Sequence, residues 1–238
     1  MSFLITLVCT GLVAGLLNKP IKRFPVLFYA LALALTAFYL YAVLYGASVF
    51  LWRYVLLPFQ RCTIALALFT LVMFVGVLSD TSRLRALLYP LRRELSILGS
   101  IFASGHIIAY MTVFLPKVAG GPGQLNPNLA FSLGVSCLLV ILLVVLTVTS
   151  FVAIRKRMSP QSWKRVQLLA YPFFLLIYVH LIVVLLPSAL SGAETITLNL
   201  VVYTLLFVSY TVLRLKKALS HRAQAIAQPA ESLTRIEH

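Results

Sequence analysis

The stretch "LAFSLGVSCLLVILLVVLTVTSFVA", residues 129–153, carries no charged side chain over 25 consecutive positions. At about 1.5 Å of rise per helical residue, such a run is long enough to cross the ~30 Å hydrocarbon layer of a bilayer. Runs of the same kind recur at 2–18, 26–52, 62–78, 95–115, 168–187 and 197–214. None alternates apolar with polar residues as the strands of a membrane barrel must. The expected fold is therefore all-α: a polytopic membrane bundle of about seven transmembrane helices. The composition agrees, with 61% hydrophobic residues, 11% charged residues and a mean hydropathy of +1.01. The first run is the shortest. It has no basic residues before it and no small-x-small cleavage pattern after it, so it reads as a retained helix.

The net charge of +15 raises the question of nucleic acid, and the placement of the basic residues answers it. Seventeen of the 20 lysines and arginines lie in four segments, 19–23, 83–93, 155–165 and 214–235, which alternate with the other loops. Only Arg53, Arg61 and Lys117 fall on the opposite side. By the positive-inside rule the N-terminus is outside and the C-terminus is cytoplasmic. The partner implied by the charge is the anionic face of a lipid bilayer, and no nucleic acid is implied.

Four regions follow: two N-terminal transmembrane helices (1–61), a core (62–187), a C-terminal transmembrane helix (188–217) and a flexible cytoplasmic tail (218–238). There is no glycine-rich phosphate loop and no dinucleotide fingerprint. If the protein moves electrons, another polypeptide or a lipid-soluble molecule is expected to supply them. Cys9, Cys62 and Cys137 show no CxxC spacing and read as small packing residues.

Titratable groups at bilayer depth are costly and mark function. All five acids, Asp80, Glu94, Glu194, Glu231 and Glu237, fall in loops, at helix ends or in the tail. Apart from tyrosines and cysteines, the hydrocarbon holds His106 and His180 alone. His106 lies 11 residues after Leu95 and His180 lies 12 after Leu168, on helices that run in the same direction, so each is ~16–18 Å along its helix. Two neutral imidazoles at one level can hold both axial positions of a haem iron. Gly99, Ala103, His106 and Tyr110 share one helix face, with Gly105 beside the histidine. That stripe either admits a flat porphyrin close to the backbone or serves ordinary small-xxx-small helix packing. The aromatic residues Phe28, Tyr29, Phe38, Tyr39, Tyr41 and Tyr45 read as interfacial belt and packing residues.

Two segments carry a family resemblance. "LRRELSILGSIFASGHIIAYM" (91–111) resembles the "LRR…LG…H…Y" segment of the ferric-reductase-like transmembrane domain. "SWKRVQLLAYPFFLLIYVHLIVVL" (162–185) resembles that domain's "W-(K/R)-R-L-H-R-L-x-Y…H" helix. Within the family the likeness is nearest to the haem-binding membrane subunit of the periplasmic methionine-sulfoxide reductase system. The resemblance implies one or two b-type haems, with His106 and His180 as the axial ligands of the outer one. Where two-haem members have inner ligands, this chain has Arg92 and Gln167, so one haem b is expected. Trp163, Arg165 and Tyr171 keep the pattern. Pro172 is expected to kink the second ligand helix, since Gln167 and His180 stand about 140° apart on a straight one.

The functional expectation is an electron-transfer subunit of an oxidoreductase in the cell inner membrane, without its own flavin or NAD(P)H domain. Electrons would come from a membrane quinol or a cytoplasmic flavin reductase, with quinone or FMN as a possible second cofactor. They would leave to a periplasmic or membrane redox partner protein. Arg92, Arg93, Arg165 and Trp163 are candidates for docking the donor, or simply anchor headgroups. The competing readings are a cofactor-free scaffold or sensor, and a transporter for a small solute. The absence of intramembrane carboxylates counts against the transporter.

Overall fold

The computed structural model describes residues 2–121 and 126–234. Residues 122–125, at the centre of the expected outer loop, and 235–238, the end of the expected tail, lie outside the described residues. Seven main helices make up the bundle: α1 (Ser2–Leu16), α2 (Pro25–Tyr45), α3 (Thr63–Val75), α4 (Arg92–Ala119), α5 (Pro127–Ser150), α6 (Ala170–Leu190) and α7 (Glu194–Thr234). Among the described residues six helical stretches are long and apolar enough to cross a membrane, and α1 is a shorter apolar helix. The chain is thus a multi-pass membrane helix bundle.

Lipid-facing and core-facing residues separate at helical spacing. On α7, Leu198, Val201, Leu205, Val208 and Val212 are exposed, while Tyr203, Phe207 and Tyr210 are buried. On α2 the buried positions are mostly small, Ala32, Thr36, Tyr39 and Ala42, and this face packs on α4. Small side chains let two helix backbones approach closely in a solvent where apolar burial alone gives no advantage. α4 packs chiefly on α2 and α3, and more lightly on α5; α6 packs on α5 and α7. The central apolar cluster joins α3, α6 and α7 through Phe69, Phe173, Phe174 and Phe207.

Several local features shape the bundle. The second predicted run ends early, at Tyr45, because Gly46 takes φ +85°. A new helix begins at Val49, passes through a π-helical turn at Trp52–Leu56 and stops at Gln60. The wide turn lies just before Pro58, which has no N–H to donate. Cys62 then takes φ +55°, the one positive φ outside glycine among the described residues, before α3 begins at Thr63. Further on, the helix Pro160–Gln167 ends two residues before α6. The break at Leu168 and Leu169 sits where Pro172 can neither donate to the carbonyl four residues back nor clear it. The interruption that Pro172 could cause is present as a two-residue break in the helix, one turn ahead of the proline. Finally, α7 continues through Thr234, past the predicted end at 214, along a sequence rich in the strong helix formers Ala, Leu, Lys, Arg and Gln.

Candidate functional site

His106 lies on α4 and His180 on α6, and both are half-buried. The Nδ1 of His106 is 2.7 Å from the carbonyl oxygen of Gln60. A carbonyl only accepts, so Nδ1 carries the proton and Nε2 keeps its lone pair. The Gln60 carbonyl is available because the left-handed Cys62 interrupts the helix that would otherwise have claimed it. The ring of His106 also packs on Tyr110, with centroids 4.6 Å apart.

His180 is oriented in the same way by a different group. Its Nδ1 is 3.2 Å from Ser136 Oγ on α5, and that hydroxyl is 2.8 Å from the Ser132 carbonyl. The serine proton is given to Ser132, so the oxygen accepts from His180 Nδ1–H. Both imidazoles therefore hold the same tautomer, with Nε2 bare. Gln60 and Ser136 were not singled out from sequence. Their role depends on a chain break and on the α5–α6 pairing, neither of which leaves a local sequence signal.

The donor set narrows what the two nitrogens can hold. Among the described residues no group of three or more His, Cys, Asp or Glu side chains could ligate a metal ion. A bare zinc or iron site needs such a group, whereas a haem iron needs two axial ligands and takes four nitrogens from its own ring. The orientation of a ligating histidine by a hydrogen bond from its second nitrogen is the usual support for such a ligand. The residues fit a bis-imidazole haem on that ground, and α4 and α6 are not among each other's main packing partners.

Of the two readings open for the small residues of α4, the contacts at Gly99 and Gly105 favour helix packing. A Cβ on Gly105 would come within 2.6 Å of Thr36 Cγ2 on α2. One on Gly99 would come within 3.0 Å of the Phe69 ring on α3. Ala103 belongs to the central apolar cluster. The stripe is a packing seam. Tyr39, too, is a packing residue, buried and stacked on Phe59 at 5.8 Å.

Arg92 and Gln167 line a single cavity of about 240 Å³ at the end of the bundle that carries the arginine-rich loops. They are thus brought together in space, as inner ligands would be, without offering an imidazole. Gln167 Nε2 donates to Thr149 Oγ1 at 3.1 Å, and Trp163 Nε1 donates to the Thr149 carbonyl at 3.1 Å. The Pro160–Gln167 helix is pinned to the end of α5 by these two bonds. Glu94 is buried at its helix end; Arg93 donates to its Oε1, and Oε2 has no hydrogen-bond partner among the described residues.

Residues 61–178 match the family described as ferric reductase like transmembrane component. The match supports that family for just under half of the chain. The ferric-reductase-like segment contains His106 and ends two positions before His180. An uncharacterized protein of Treponema pallidum (strain Nichols) is 37% identical over 229 residues, which cover 95% of this chain. The chain spans 63% of the length of that relative. No solved structure matches. A ferric-reductase-like transmembrane segment suggests a role in membrane electron transfer.

Proposed function

We propose that this chain is a membrane electron-transfer subunit of the inner membrane, holding one haem b between Nε2 of His106 and Nε2 of His180. The observation that carries the reading is the shared tautomer: each Nδ1–H is bound to a fixed acceptor, which leaves the Nε2 lone pair of each ring free to ligate. When bound, such a group supplies one-electron chemistry at an iron with no open coordination position.

The residues of the chain do the rest. The Gln60 carbonyl and Ser136 hydroxyl set the ring planes and raise the basicity of the ligating nitrogens. Tyr110 covers one side of the His106 ring. The apolar faces of α4, α5 and α6 keep water from the site, which lowers the dielectric around any charge that develops there. The sided distribution of basic residues supports an arrangement with the N-terminus outside, and the histidines then lie towards the periplasmic half. Electrons would arrive from a quinol or a cytoplasmic flavin reductase and leave to a periplasmic acceptor, such as the reductase of a methionine-sulfoxide repair system.

The test is the haem content and reducibility of the full chain purified from haem-replete cells. Close to one b-type haem per chain, reduced by a quinol or by a flavin reductase with its nicotinamide, is the expected result. A colourless protein would overturn the proposal.

A further inference from the structure

The cavity beside Arg92 and Gln167 has an electrostatic imbalance that the electron-transfer reading does not use. Four cationic side chains line it, Arg85 from the short helix Arg83–Leu88, Arg92 from the start of α4, and Arg214 and Lys217 from α7. The acid facing them is Asp80, 72% exposed, which pairs with Arg85 at 2.7 Å and stands 4.0 Å from Lys217. Arg92 and Arg214 have no acidic partner among the described residues. Four positive charges against one negative leave a surplus of three around one small space.

These cations are held in place. Lys217 Nζ donates to the carbonyls of Gly76 and Leu78 at 3.2 and 3.0 Å, and Arg85 Nη1 donates to Leu78 at 3.0 Å. The Arg85 and Arg92 guanidiniums both lie over the Tyr89 ring, at 4.9 and 5.5 Å, and Arg214 lies over Tyr171 at 4.7 Å. Stacking on an aromatic face fixes a guanidinium plane while leaving its in-plane N–H groups free to donate. The Nε of Arg92 is itself buried without a hydrogen-bond partner among the described residues. Like charges held close together repel, and a counter-anion between them would relieve that repulsion.

We propose that this cavity is an anion site for a phosphate group. The guanidinium forks of Arg92 and Arg214, with Lys217 beside them, suit the several oxygens of a phosphate better than a single-atom halide, and a surplus of three positive charges is more than enough to balance a phosphate dianion. The group comes either from the headgroup of an anionic phospholipid or from a soluble phosphate compound, since the cavity opens at the bundle end where both are present. The site is independent of His106 and His180, so its failure and that of the haem reading are separable.

The experiment uses the full chain in an uncharged detergent, with Arg92→Gln and Arg214→Gln as variants and Arg157→Gln, in the exposed loop after α5, as control. Native mass spectrometry reads retained phospholipid. Thermal unfolding of delipidated protein reads the effect of inorganic phosphate against chloride at equal ionic strength. A phospholipid retained by wild type and control but lost from both variants supports the site with a lipid source. A phosphate-specific rise in Tm that the variants lose supports it with a soluble source. In phosphate-free buffer the variants should melt above the wild type, because each removes one repelling charge, so a fold defect is recognised by the opposite sign. No retained phospholipid and no phosphate-specific shift in the wild type overturns the proposal, as does a shift of equal size in wild type and variants. Haem content recorded on the same samples should not change.

Discussion

The Nδ1–H of His106 donates to the Gln60 carbonyl at 2.7 Å, joining residues 46 positions apart. The bond exists because Cys62, at φ +55°, ends one helix before α3 starts another. A left-handed conformation costs an ordinary L-residue roughly 1–2 kcal/mol, and a β-branched residue more. Cys62→Gly should therefore keep the break and the histidine bond. Cys62→Val should lower stability by at least about 1–2 kcal/mol and loosen His106. Thermal unfolding and haem retention on dilution check both; equal behaviour of the two variants would show that the break does not orient the ring.

Ser136 supports His180 as Gln60 supports His106, but through a side chain that can be removed. Loss of such a supporting hydrogen bond typically weakens metal-centre affinity about 10- to 100-fold. Ser136→Ala should show that loss in haem titrations of the apoprotein, and Ser136→Thr, which keeps the hydroxyl, should recover much of it. An unchanged affinity in the alanine variant would remove Ser136 from the site.

The α2–α4 seam makes a packing prediction that involves no cofactor. Gly105→Ala forces a Cβ to within 2.6 Å of Thr36 Cγ2, and overpacking of this kind costs about 1–3 kcal/mol. Thr36→Ala in the same chain should restore most of the loss, because the two changes share one contact. Gly134→Ala, whose new methyl meets nothing within 4 Å, should be neutral or slightly stabilising by helix propensity. Unfolding midpoints of the three variants decide the matter.

The bundle was legible because hydropathy in a membrane protein is set by the solvent. The runs at 129–153 and 168–187 correspond closely to Pro127–Ser150 and Ala170–Leu190. His106 and His180 stood out for the same reason, as polar exceptions in apolar runs. The run from 26 to 52 was drawn too long because Gly46, a residue with no preferred φ sign, gives no hydropathy signal when it ends a helix. Gly99 and Gly105 gave an ambiguous signal, since a small residue reads alike whether a ring or another helix lies over it. Gln60 and Ser136 were invisible: one acts through its backbone and the other through a partner 44 positions away. The cationic cavity was legible only in Arg92, named as a candidate for docking the donor, because Arg214 and Lys217 join Arg85 and Arg92 there from a segment far away in the sequence.

The central claim is that two imidazoles share one iron, and the measurement closest to it is the low-temperature electron paramagnetic resonance spectrum of the oxidised full chain. It is taken alongside optical spectra of His106→Ala and His180→Ala. The account predicts a low-spin bis-histidine ferric signal at about one iron per chain in the wild type. Each single variant should lose the haem or turn high-spin. A wild-type protein without haem, or a low-spin signal that survives removal of either histidine, would contradict it.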